Sequence, residues 1–277
     1  MPKPIDGLIT MRMPSSGDRP GGWGLGPADL RARYSVLAAV GGVAYWQRDL
    51  PGGEAACAGA VRVAEQLGDP AALAEALYNL AFPVWQQGRL DDAAALADRS
   101  QQLFAELGHA DGTARALWLH GILAMMTGDL DRAEKLLAES VDRHRGSPAV
   151  FDLGWSLRML GRTFLLQGRP AEARERIEES LRLFAAAGDV SAILLHLADF
   201  AAIAALEGDD ERELRLAGAL EQLKRLTGTE LVDHPVNAIP HFADAVARRG
   251  ADAQRLLVEG AAMGVAEVVQ YALQDPT

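Results

Sequence analysis

At 277 residues, 49% of them apolar and 23% charged, the chain is long enough to bury a core and too apolar to remain unfolded. Its 38 acidic against 27 basic residues give a formal charge of −11, which offers phosphate backbones and anionic lipid no general attraction, so neither nucleic acid nor a membrane surface is expected as a direct partner. The single cysteine, Cys57, excludes an internal disulfide and a cysteine metal cluster and fits a reducing, cytoplasmic setting.

Residues 1–26 are rich in Gly and Pro and lack the basic, apolar, small order of a signal peptide, which predicts a flexible tail. The glycines at Gly21, Gly22, Gly24 and Gly26 have no strand before them and no Gly-Lys-Ser/Thr after them, so they make no phosphate loop. The longest apolar run, about ten residues around Leu37 to Trp46, is shorter than the roughly 18 to 20 that a membrane span needs.

From residue 27 to 228 the sequence repeats every forty residues. Leu37, Leu77, Leu117, Leu157 and Leu197 mark the period, each followed four residues on by a small residue: Gly41, Ala81, Gly121, Gly161 or Ala201. Gly88, Gly128, Gly168 and Gly208 close the first half of four units, with Arg48 in that slot of the first. Five residues later stand Gly53, Ala93, Ala133, Ala173 and Glu213. Gly68, Gly108, Gly188 and Gly228, with Pro148 in the third unit, close the second half, where a helix end favours a left-handed or helix-breaking residue. Between these breakers Ala, Leu, Glu and Arg recur with apolar steps of three and four, so each unit is predicted as two antiparallel helices that meet closely at the small positions. One such pair cannot bury its apolar face alone, so the pairs must stack into a solenoid with the first helices on the concave wall.

After Gly228 the period stops, and 229–277 is predicted as an irregular linker and a helical cap. Three short helices, Phe242–Ala247, Ala251–Val258 and Val265–Leu273, would close the open end of the stack. The stripe Val265, Val268, Val269 and Leu273 would cover the fifth pair or, alternatively, join two copies in a homodimer.

The marks Leu77, Ala81 and Ala93, Leu117, Gly121 and Ala133, and Leu157, Gly161 and Ala173 resemble the tetratricopeptide repeat (TPR) family. The period of forty departs from the family's usual 34 and implies longer helices. The resemblance implies an all-α, right-handed TPR-like α-solenoid of about five helix pairs, with the less regular first and fifth units as its ends. Glu75–Phe82, Leu216–Gly228 and Glu259–Leu273 are similar to the C-terminal sensor regions of LuxR-type and AfsR-like ATP-dependent bacterial transcription regulators. In those regulators the nucleotide-binding and DNA-binding modules lie outside the repeats.

No catalytic or metal motif is legible. The six histidines never fall at i, i+4, although His234 and His241 come near Asp233, and no Gly-x-Ser-x-Gly elbow is present. Cys57 is expected as a buried, inert thiol. The chain is therefore read as a non-enzyme without cofactor or metal. On the helix face away from the second helix stand Tyr45, Trp46, Tyr78, Phe82, Trp85, Arg115, Trp118, Ile122, Met125, Trp155, Arg158 and Arg162. Aromatic rings supply contact area, and Arg115, Arg158 and Arg162 would converge on a carboxylate or phosphate of an acidic protein or peptide partner. The same rings would equally serve to pack the helices, and a small-molecule sensor is the competing function class.

Overall fold

The computed structural model describes residues 26–228 and 242–274. The expected tail, its glycine cluster up to Gly24, and the stretch with Asp233, His234 and His241 lie outside the described residues. Ten helices form five antiparallel pairs: α1 (Pro27–Trp46) with α2 (Leu50–Leu67), α3 (Pro70–Gln86) with α4 (Leu90–Glu106), α5 (Ala110–Met126) with α6 (Leu130–Arg145), α7 (Val150–Leu166) with α8 (Pro170–Ala187), and α9 (Val190–Glu207) with α10 (Asp210–Thr227). Each pair packs on the next, and successive odd-numbered helices touch one another as the inner row. The all-α solenoid of five long helix pairs stands as its period predicts.

The turns follow from local chemistry. Gly88, Gly128, Gly168 and Gly208 all adopt φ between 72° and 81°, a left-handed conformation that ends one helix. In the Gly-Asp turns the next residue caps the following helix: Asp129, Asp189 and Asp209 accept hydrogen bonds from the N–H groups of Arg132, Ala192 and Arg212. Arg48, in the same slot of the first unit, also lies at φ 53° without glycine's freedom. Arg48→Gly is therefore expected to stabilise the chain by about 0.5–1 kcal/mol. Chemical denaturation of the two chains reads this directly, and equal or lower stability of the glycine chain would refute it.

The small slots are where helices of a pair approach closely. A Cβ added at Gly121 would lie 2.5 Å from Leu137 Cγ, and one at Gly161 2.6 Å from Ile177 Cγ1. Serine supplies a further periodic device. Buried Ser100, Ser140 and Ser180, forty residues apart, donate to the carbonyls of Ala74, Ala114 and Gly154 at 2.8, 2.9 and 2.7 Å. Each hydroxyl ties the second helix of its pair to the first, giving a backbone acceptor an extra buried donor.

Helices α11 (Phe242–Arg249), α12 (Ala251–Ala261) and α13 (Val265–Leu273) lie against the fifth pair. Where α12 crosses α10, Gly218 and Gly260 let the backbones touch: a Cβ at Gly260 would sit 1.8 Å from the Arg215 carbonyl oxygen, and one at Gly218 2.1 Å from that of Leu257. Val268 and Ala272 of α13 are fully buried, with Val265, Val269 and Leu273 packed around them. Arg212 donates to the carbonyls of Tyr271, Ala272 and Gln274, closing the C-terminal end of α13 with a cation as the helix dipole favours.

The segment most like a membrane span is α9, not the run around Leu37. Its 18 residues have mean hydropathy 1.7, long and apolar enough to cross a bilayer by length and composition. In the fold it is the core helix of the last pair, buried over most of its length. It also carries a buried carboxylate, Asp199.

Candidate functional site

The inner row of helices encloses a cavity of about 300 Å³ between α1, α3, α5 and α7. The sequence lines it because small residues on α1 leave room: Ala38, Gly41 and Gly42 face rings supplied by the next three pairs. Of the twelve residues expected on the groove, ten line this cavity: Tyr45, Trp46, Tyr78, Phe82, Trp85, Arg115, Trp118, Ile122, Trp155 and Arg158. Met125 is buried, with Thr163 Oγ1 3.9 Å from its sulfur, and Arg162 lies off the lining.

The rings form a connected wall. Tyr45 meets Phe82 edge-on at 5.4 Å between centroids, and Phe82 lies 5.7 Å from Trp118. Trp46 of α1 approaches Trp155 of α7 at 6.2 Å, so the first and fourth pairs meet across the groove. Trp118 Nε1 donates to the Trp155 carbonyl at 3.1 Å, which fixes the indole plane. Such pairs contribute about 0.5–1.5 kcal/mol each beyond the area they bury, so the wall is both packing and lining.

The arginines do not converge on an outside acid. Arg158 donates to both carboxylate oxygens of Asp199, through Nε at 2.6 Å and Nη2 at 3.1 Å, and Arg162 donates to the same carboxylate. The three residues are 3%, 6% and 0% exposed, so this is an internal ion triad between α7 and α9. Burial alone would raise the Asp199 carboxyl, but Arg158 and Arg162 outweigh it and hold the group below the usual carboxylate range. Arg115 is paired with Glu75, one repeat upstream, and lies over the Tyr78 ring at 5.0 Å. The convergent acid site expected from sequence is filled by the chain's own carboxylates, because α9 and α3 bring acids to the helix faces that the arginines occupy.

Asp152 and Phe151, at the start of α7 and nine and ten residues before the small residue Gly161, also line the cavity and stand outside the twelve residues expected from sequence. Asp152 makes no salt bridge and no side-chain hydrogen bond among the described residues. Burial pushes its carboxyl up, Arg115 and His144 draw it down, and Asp111 and Glu75 add to the rise. Cys57 is another lining residue, buried, with its thiol pushed up to about 11 by desolvation.

One pair outside the cavity has the spacing of a nucleophile and base. Ser180 Oγ is 2.7 Å from His196 Nε2, whose Nδ1 is 2.7 Å from the Ala192 carbonyl. Both residues are fully buried, and Ser180 is also bonded to Gly154, so the pair joins α7, α8 and α9 with no opening to a substrate. Burial and then the Arg158 charge push His196 down to about 4. Among the described residues no group of three or more His, Cys, Asp or Glu is arranged to hold a metal.

The sequence model of the family described as Tetratricopeptide repeat matches residues 72–146 and 112–186. No curated protein matches the sequence. Among solved structures, BtubC (BKLC) from P. vanneervenii is similar in fold, with a TM-score of 0.56 at 16% identity over 73% of this chain and 84% of that one. A protein of nearly identical TPR-like repeats from Podosopora anserina, described as a kinesin light chain, gives 0.49 at 15% identity over 73% of this chain and 97% of its own.

Proposed function

We propose that this TPR-like solenoid is a non-catalytic scaffold that seats a segment of a protein partner in its concave cavity. The observation that supports this is the aromatic lining itself: rings from four helix pairs converge on one concave surface that the described residues leave unfilled. Large flat side chains in a partly enclosed site are the composition of binding hot spots. Because Arg115, Arg158 and Arg162 already hold internal carboxylates, affinity comes from apolar contact and not from an arginine clamp on an acidic partner. The similarity of Glu75–Phe82, Leu216–Gly228 and Glu259–Leu273 to regulator sensor regions supports a cytoplasmic role in a transcription-regulatory system. A small-molecule sensor is the second reading, favoured by a volume at the lower end of the range for small-ligand pockets.

Gly42 supplies the test. It lines the cavity, its φ is not in the left-handed region, and a Cβ there meets nothing within 4 Å. Gly42→Trp is expected to fill the cavity mouth while the helix gains propensity, leaving the thermal midpoint unchanged or higher. Affinity capture with both chains should lose partner binding by about 100-fold or more, equivalent to about 2.7 kcal/mol. A Gly42→Trp chain that folds and retains the same partners would overturn the cavity as the binding site.

A further inference from the structure

We infer that the seated segment inserts a basic side chain, lysine or arginine flanked by apolar residues, with Asp152 as its counter-charge. This deepens the scaffold reading and rests on it. Among the lining groups, the charged donors are occupied: Arg115 by Glu75, and Arg158 by Asp199. The Trp118 indole N–H is occupied by the Trp155 carbonyl.

On the acceptor side stand a carboxylate and a carbonyl. Asp152 faces the cavity without an ion pair among the described residues, and Pro83, which has no N–H, leaves the Asn79 carbonyl without its helical donor. Asn79 and Pro83 both line the same cavity. The tyrosine hydroxyls of Tyr45 and Tyr78 serve either role.

Aromatic faces add to this, since the negative face of an indole or phenol ring attracts an ammonium or guanidinium, and apolar walls suit the methylene stem of a long basic side chain. At longer range the chain's net charge of −11 favours approach of a basic segment over an acidic one. Asp152 in the first turn of α7 also suits the helix dipole, but a carboxylate there has no need of an aromatic cavity in front of it.

The test uses the full chain against a phage-displayed library of random dodecapeptides, followed by titration of the selected peptides by tryptophan fluorescence. The expected result is enrichment of Lys or Arg beside apolar residues, with at least tenfold weaker binding to Asp152→Asn, loss of binding to Gly42→Trp, and affinity that falls with added salt. Thermal melts of both variants confirm the fold, and Asp152→Glu should recover part of the affinity. Peptides that lack a basic residue, or that are rich in Asp and Glu, yet are lost with Gly42→Trp would overturn the charge assignment and leave the scaffold reading standing. Peptides that bind Gly42→Trp as well as the parent would overturn both, as would no enrichment at all. Competition by n-butylammonium at peptide-like concentrations would overturn the protein-segment source and point to a free amine.

Discussion

Replacing Asp199 by Asn is expected to lower the unfolding free energy by about 3–5 kcal/mol, because it strands two buried guanidinium groups. Arg158 and Arg162 are nearly inaccessible and share this single carboxylate, so no solvent is available to take its place. The cost belongs to the uncompensated charges and is no measure of what the triad contributes. Arg158→Met/Arg162→Met/Asp199→Leu, which removes all three charges at similar volume, should restore most of the loss. Urea denaturation of the three chains separates the cases, and an Asp199→Asn chain as stable as the parent would refute the burial argument.

The same triad sets an acid limit. With the Asp199 carboxyl held below its unfolded value, its stabilisation is complete above an unfolded pKa of about 4 and disappears as pH falls through the folded value. The parent should therefore lose stability more steeply below pH 4 than the triply apolar chain.

Gly260→Ala is the second substitution with a large expected effect, and its sign opposes helix propensity. In an isolated helix the change would stabilise by about 1 kcal/mol. Here the new methyl would overlap the Arg215 backbone carbonyl, which cannot rotate aside as a side chain would, so α12 must move off α10. A loss of about 3 kcal/mol is expected, at the upper end for overpacked sites. Gly146→Ala, at a helix end with nothing within 4 Å, should change stability by a few tenths and serves as the control. Hydrogen exchange should show α11 to α13 opening first in the Gly260→Ala chain, since Arg212 and the α10 crossing hold that cap. Uniform protection equal to that of the parent would show that the crossing tolerates the methyl.

The helix pairs, their turns and their close-packed faces were legible because each is repeated every forty residues, and a position held by glycine in four of five units states its conformational demand. The cavity was legible in part for the same reason: its rings fall at fixed offsets from the small slot. What escaped the pattern is whatever occurs once. Asp199 stands alone in the apolar stretch of α9, and a single charge in such a stretch signals a buried partner, but the partner lies 41 residues away in Arg158. Without the crossing of α7 and α9 the arginine side chains are indistinguishable from outward-facing ones. Asp152 escaped because it begins α7, two helical turns and more before the small residue Gly161 around which the rings recur.

The contact between Trp46 and Trp155 changes how the molecule comes apart. A stack held only by neighbouring repeats behaves as a one-dimensional chain whose ends fray separately from its middle. Here a ring from the first pair leans on a ring from the fourth, closing a loop that includes the second and third. The first pair cannot peel away without losing that ring contact, worth about 0.5–1.5 kcal/mol, so its fraying is tied to the fourth pair as well as to its neighbour.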